Sequence, residues 1–184
     1  VGISFYTLRQ ISYAIDVYRG KMRAERHVGH FLAYVSFFPQ LLAGPIERAE
    51  QFLPQLKSRA PFDLQRTLDG GKRIAWGLFK KIVLADRLAM VVNAVYGNVP
   101  GHSGPALLIA ALSYSLQIYC DFSAYSDMAI GLGRILGFKT MENFRAPYLA
   151  TSIGVFWTRW HISFSTWLRD YLFLPVSYYV MRRI

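Results

Sequence analysis

Acidic residues are scarce in this sequence: eleven Asp and Glu stand against twenty-one Lys and Arg, and charged residues of both signs fill only 17% of 184 positions. An ordinary soluble domain carries roughly a quarter. That deficit excludes a typical water-facing surface, and a content of 53% hydrophobic and 16% aromatic residues points to lipid instead. The lack of charge is also local. No Asp, Glu, Lys or Arg occurs from Leu88 to Cys120 or from Val28 to Ile46, and uncharged runs of that length are candidate membrane spans. The single cysteine, Cys120, excludes an internal disulfide and sits in an apolar run, where a thiol behaves as a small hydrophobe. No His or Cys pairs stand at ligand spacing, and His27 and His30 are read as lacking acidic companions, so no metal site is expected. Phosphate loops, dinucleotide fingerprints and nucleophile elbows are missing as well, because Gly131-Leu-Gly133 has no strand before it. The net charge of +10 could suit nucleic acid, but the basic residues gather at the borders of apolar runs, so nucleic acid is not an expected partner.

What is there reads as a membrane protein. Residues 1–18 are apolar and aromatic with only Arg9 and Asp16 charged, and they run into Arg19, Lys21, Arg23 and Arg26, which the positive-inside rule places in the cytoplasm. Val28 to Ile46 carries Pro39 and Gly44-Pro45 and is basic on both flanks. A re-entrant or interfacial segment fits that better than a clean span, with a kinked span as the alternative. Residues 47–73, broken by Pro54, Pro61 and Gly70-Gly71, are expected to form a cytoplasmic loop with short helices. Ile74 to Val99 reads as a helix entering the membrane after Lys80-Lys81, and residues 98–105 as an outer loop. Ala106 to about Leu132 then returns to Arg134, Lys139 and Arg145 on the inside. Asp121 and Asp127, six apart, are expected to cap helices or pair with an arginine between helices. Neither end carries a start or stop signal, so the chain is expected to be an internal piece of a longer protein.

One stretch concentrates aromatic and reactive groups: Phe156-Trp157-Thr158-Arg159-Trp160-His161-Ile162-Ser163-Phe164-Ser165-Thr166-Trp167-Leu168-Arg169-Asp170-Tyr171. At helical spacing Trp157, Trp160, Phe164 and Trp167 fall on one stripe, and Thr158, His161 and Ser165 on the next. Arg169 and Asp170 lie two turns on, placed to anchor that helix's end. A histidine beside aromatic residues is commonly structural. A titratable group in a membrane protein's apolar stretch nevertheless marks a functional site by default, and imidazole can take a proton from a hydroxyl near neutral pH. His161 is therefore the candidate for general-base activation of an alcohol.

The runs FWTRWHISFSTWLRDYLFLP, YCDFSAYSDMAIGLGRILGF, ENFRAPYL, SFFPQLLAGPIERAEQFLPQL and GLFKKIVLADRLA together resemble the bacterial branch of the membrane-bound O-acyltransferase family, nearer its alginate O-acetylase type than its D-alanyl-transfer type. The resemblance covers nearly the whole chain. It implies an all-α fold, a polytopic transmembrane protein with re-entrant segments in a helical core around a central tunnel, with residues 1–184 as one partial domain. It further implies a multi-pass protein of the bacterial inner membrane, where an acyl group brought to the cytoplasmic side meets a hydroxyl from the outer side. His161 matches the tunnel histidine of the family's RWHxSxSxWxRDY motif. Trp160, Arg159, Ser163, Ser165, Trp167, Arg169, Asp170, Asp121 and Asn143 are the expected surrounding or substrate-binding residues. No bound cofactor is implied, only an acyl donor such as acetyl-CoA or an acyl carrier as co-substrate. The implied partners are membrane lipid, a polysaccharide acceptor and a periplasmic protein that finishes the transfer. Relatives carry a second histidine further on, beyond this chain's last residue, so the isolated chain is expected to be inactive. From another class, a non-catalytic conduit for a polymer or lipid would use the tryptophan stripe as a glide surface.

Overall fold

The computed structural model of the chain describes residues 3–41, 44–58 and 60–182, with side chains from Tyr6 onward. Every regular element among them is helical. The longest, α6, runs Gly104–Ile135 over 32 residues, about 48 Å at 1.5 Å per residue. Pro105 lies in its first turn, where a missing N–H leaves no bond unmade. The chain leaves it through Gly137 at φ 88°, a left-handed position that suits glycine. Its best window has a mean hydropathy of 1.3 with only 17% of residues buried, and it is the one helix among the described residues long and apolar enough to cross a membrane. Leu108, Ile109 and Leu112 point outward, an arrangement water penalises and lipid does not.

Against α6 lies an unbroken helical rod. It consists of α4 (Leu64–Phe79), a π-helical stretch (Lys80–Ala85) and α5 (Asp86–Tyr96). Asp63 caps its start, accepting from the Arg66 N–H at 2.9 Å. Here the sequence expectation needs correcting. The helix begins ten residues before Ile74, and Gly70-Gly71, expected to break a loop, lie inside it. Packing explains Gly70, though not Gly71, whose Cβ would meet nothing within 4 Å. A Cβ on Gly70 would sit 2.7 Å from the Gly131 carbonyl oxygen, one on Gly131 2.7 Å from the Gly70 carbonyl oxygen, and one on Gly77 2.7 Å from the Ala124 carbonyl oxygen. The helices meet backbone to backbone, which only small residues permit. Gly131→Ala would gain about 1 kcal/mol of helix propensity, yet its methyl would press on a carbonyl that cannot swing aside, at a cost of ~1–3 kcal/mol. The thermal midpoint of the Gly131→Ala protein in detergent should therefore fall; a rise would show that the crossing has room to spare.

The N-terminal block packs α1 (Ile3–Tyr18), α2 (Val28–Val35) and α3 (Ala49–Lys57) around Tyr34, Phe37, Ala49, Phe52 and Leu53, with Phe138 from beyond α6 stacked on Phe52. The run from Val28 to Ile46 is not one helix. After α2 come a 3-10 turn at Phe38–Gln40 and irregular chain from Pro45 to Arg48; Leu42 and Ala43 lie outside the described residues. Pro39 and Gly44-Pro45 account for the interruption, and buried polar groups satisfy the broken backbone. Arg9 donates to the Tyr34 carbonyl (3.3 Å), the Pro45 carbonyl (3.2 Å) and the Gln40 side chain. The Gln40 amide donates to Glu47 at 3.1 Å, and Glu47 also accepts from the Met141 N–H at 2.9 Å. Contrary to the sequence reading, His30 does have an acidic neighbour, since its Nδ1 lies 3.9 Å from Glu25. The Lys57 ammonium, 2.7 Å from that carboxylate, and the His27 N–H hold the Glu25 pKa down to about 2. Among the described residues no group of three or more His, Cys, Asp or Glu is arranged to hold a metal ion.

Candidate functional site

The stretch expected as a single helix is two. α7 (Ile153–Arg159) ends at Trp160, His161 takes a left-handed conformation at φ 43°, and α8 (Ile162–Leu168) starts anew. A continuous tryptophan stripe therefore does not exist. A non-glycine residue at positive φ costs about 1–2 kcal/mol, and here the opposing segment offsets it. The Arg145 N–H donates to the Arg159 carbonyl (3.0 Å) and the Ile162 N–H to the Asn143 carbonyl (2.9 Å), gripping the chain on both sides of the break. The His161 carbonyl accepts from the Phe164 and Ser165 N–H groups at 3.0 and 2.9 Å, closing the first turn of α8. That turn sets the imidazole between α8 and α6.

The ring lies edge-on to Phe122 of α6 (4.7 Å between centroids) and stacks on Phe164 (5.1 Å). Its Nδ1 is 3.0 Å from Oδ1 of Asn143. Asn143 is 0% exposed and is held on every side. Its Oδ1 also accepts from the Ser163 hydroxyl (2.9 Å) and the Ser163 N–H (3.3 Å), and its Nδ2 donates to the Ser126 hydroxyl of α6 at 3.1 Å. Phe122 stands about 27 Å along α6 from Gly104 and about 20 Å from Ile135, at 1.5 Å per residue. The histidine thus meets the membrane-length helix near its middle.

The other expected residues divide. Trp160 adjoins the histidine as the hub of an aromatic cluster, with Phe144 at 5.2 Å, Phe156 at 5.5 Å, Tyr148 at 6.0 Å and Tyr119 at 6.1 Å. Ser165 bonds the Trp160 carbonyl (3.0 Å) and braces the turn. Arg159 donates to the Leu149 carbonyl at 3.2 Å and holds the loop, not the imidazole. Trp167 reaches α1 through the Leu8 carbonyl at 3.1 Å. Arg169 is largely exposed and bonds its neighbour Asp170 (2.8 Å), which faces Arg48 at 3.4 Å; the helix does not end at this pair but runs on through Arg169–Phe173 and Leu174–Met181. Asp121 pairs with Lys81 at 2.7 Å. It and Asp127 stand inside α6 rather than at a cap, and both pair between helices, Asp127 with an arginine as expected.

Sequence reasoning missed Ser126 and a charged cluster beside it. Asp127 accepts from Arg73 (2.8 Å) and Lys80 (2.6 Å), Arg73 reaches on to Glu142, and Lys80 donates to the Ser123 hydroxyl at 2.8 Å. These groups, with Tyr119 and Asn143, line a polar cavity of about 130 Å³. The one available signal was that Arg73 and Lys80 stand two turns apart, on the face of α4 and its continuation that also carries Gly70 and Gly77.

The profile described as MBOAT, membrane-bound O-acyltransferase family, matches residues 26–181. The chain is 48% identical over 177 residues to "Probable alginate O-acetylase AlgI" of Pseudomonas syringae pv. tomato, covering 96% of this chain and 34% of that protein. It is 40% identical to "Peptidoglycan O-acetyltransferase" of Helicobacter pylori, over 96% of this chain and 38% of that protein. It is 26% identical to "Teichoic acid D-alanyltransferase" of Bacillus subtilis, over 100% and 47% respectively. The chain spans about a third of the length of the first of these relatives. With the match covering the apolar helix, the Asn143 loop and the His161 break alike, the chain belongs to the membrane-bound O-acyltransferase family.

Proposed function

We propose that the full-length protein is a multi-pass inner-membrane O-acetyltransferase that modifies hydroxyls of an exported polysaccharide, with His161 as a general base in its reaction tunnel. The observation that carries this reading is the placement of His161: a strained left-handed turn, gripped by two backbone bonds, presents an imidazole anchored on buried Asn143 midway along a membrane-length helix. Residues held in costly backbone conformations cluster at functional sites. In the reaction, a sugar hydroxyl oxygen forms the new ester bond to the acetyl carbonyl carbon and the bond from that carbon to the donor's sulfur breaks. His161 takes the hydroxyl proton and returns it to the departing thiolate. A thioester such as acetyl-CoA or an acylated carrier protein on the cytoplasmic side is the donor. A periplasmic partner completes delivery, and the interrupted Val28–Ile46 segment re-enters the bilayer from the inside. The relatives named for alginate, peptidoglycan and teichoic acid support an anionic or amino-sugar polymer as acceptor.

The test is the O-acetyl content of surface polysaccharide, by proton NMR, in cells with the full-length gene intact, deleted and restored. An acyltransferase leaves polymer yield intact while ester signals vanish on deletion and return on restoration. Loss of the polymer itself, with esters unchanged on what remains, would favour a conduit.

A further inference from the structure

We infer that Asn143 is a positioning residue that fixes the tautomer of His161, placing the proton on Nδ1 and the basic lone pair on Nε2; this deepens the general-base reading and rests on it. The inference comes from donors and acceptors. A backbone N–H can only donate, and the Ser163 N–H points at Asn143 at 3.3 Å. The amide atom facing it must be the oxygen, an orientation in which the amide nitrogen donates to Ser126 at 3.1 Å. That same oxygen is 3.0 Å from His161 Nδ1. An oxygen cannot donate, so Nδ1 must carry a hydrogen. In a neutral imidazole the other nitrogen then holds the lone pair. Turning the amide over would set its NH₂ against the Ser163 N–H, donor against donor, and lose that bond, whereas the Ser126 and Ser163 hydroxyls can donate or accept and follow either orientation; the backbone N–H therefore decides.

The neutrality of asparagine matters as much as its geometry. A carboxylate here would pair with the imidazolium and hold the ring protonated. The charged side chains on the surrounding elements are Asp121, Asp127 and Arg134 on α6, Lys139, Glu142 and Arg145 on the Asn143 loop, and Arg159 on α7; α8 has none. Asp121 is committed to Lys81, Asp127 to Arg73 and Lys80, Glu142 to Arg73, and Arg159 donates to a backbone carbonyl. The anchor of the ring at Nδ1 is thus an uncharged acceptor, which does not add a carboxylate's pull toward the imidazolium.

The experiment uses full-length protein labelled with ¹⁵N-histidine in lipid, with ring-nitrogen signals read by solid-state NMR and His161 identified by its loss in His161→Gln. The expected wild-type result at neutral pH is a protonated Nδ1 and an unprotonated Nε2; a proton on Nε2 overturns the inference. In Asn143→Asp the ring titration and the acidic limb of acetyl transfer should both move up by about 1–2 pH units. A ring titration unmoved in that variant also overturns it. If the ring titration moves as expected but the rate profile does not, the general-base reading fails while the tautomer assignment stands. Should Asn143→Asp not accumulate, the wild-type spectrum alone decides.

Discussion

His161→Ala in the full-length protein is expected to lower acetyl transfer by about 10²–10⁴-fold, the usual contribution of a general base, or ~3–5 kcal/mol of transition-state stabilisation. Alanine also loses the tolerance for positive φ that the turn demands, and a drop in activity could then reflect a collapsed turn. His161→Asn separates the two effects. Asparagine is among the residues most at ease in the left-handed region, so this variant should reach the membrane at wild-type abundance and still transfer no acetyl. Ester formation is read by NMR of the polymer and abundance by immunoblot of membranes. Transfer by His161→Asn within threefold of wild type would falsify the base assignment outright.

The largest expected loss of stability is at Asp127. Its carboxylate sits between Arg73 and Lys80, and Lys80 is almost wholly enclosed between the helical rod and α6. Removing one partner of a buried pair leaves a charge without compensation and costs about 3–5 kcal/mol. Arg73 keeps Glu142, but Lys80 keeps only the Ser123 hydroxyl. Asp127→Ala should therefore fail to give a monodisperse peak on detergent chromatography, or melt far below wild type. Adding Lys80→Met should restore much of that loss, because the stranded charge is then removed along with its partner. A single variant as stable as wild type would mean that water already solvates the cluster, and that the 130 Å³ cavity beside it opens to bulk solvent.

Legibility differed sharply between helices and site. Local rules found α6, to within a few residues at each end, because an uncharged run between a turn-rich loop ending at Pro105 and the basic residues from Arg134 onward is visible along the chain. The same rules interrupted Val28–Ile46 correctly at Pro39 and Gly44-Pro45. They misplaced the start of α4, treating Gly70-Gly71 as loop breakers when both lie inside the helix and Gly70 sits where α6 crosses. The tryptophan stripe failed for a related reason. Periodicity assumes that the helix continues, and it stops at Trp160–His161 because Asn143 and Arg145 take the backbone groups of Ile162 and Arg159, 19 and 14 residues further on. Nothing in the local sequence announces that competition.

The sequence by itself determined a helical membrane chain of this family, with His161 as its leading chemical candidate, because composition, charge-free length and contiguous motifs are properties of neighbours along the chain. Only the tertiary structure decided which candidates meet. Asn143 bonds the imidazole, Ser163 bonds Asn143 and Ser165 braces the turn, while Arg159, Trp167, Arg169, Asp170 and Asp121 hold other parts of the fold. The reason is physical: a buried amide must satisfy all its donors and acceptors at once, and its partners come from a loop, a helix start and a membrane-length helix that no periodicity brings together.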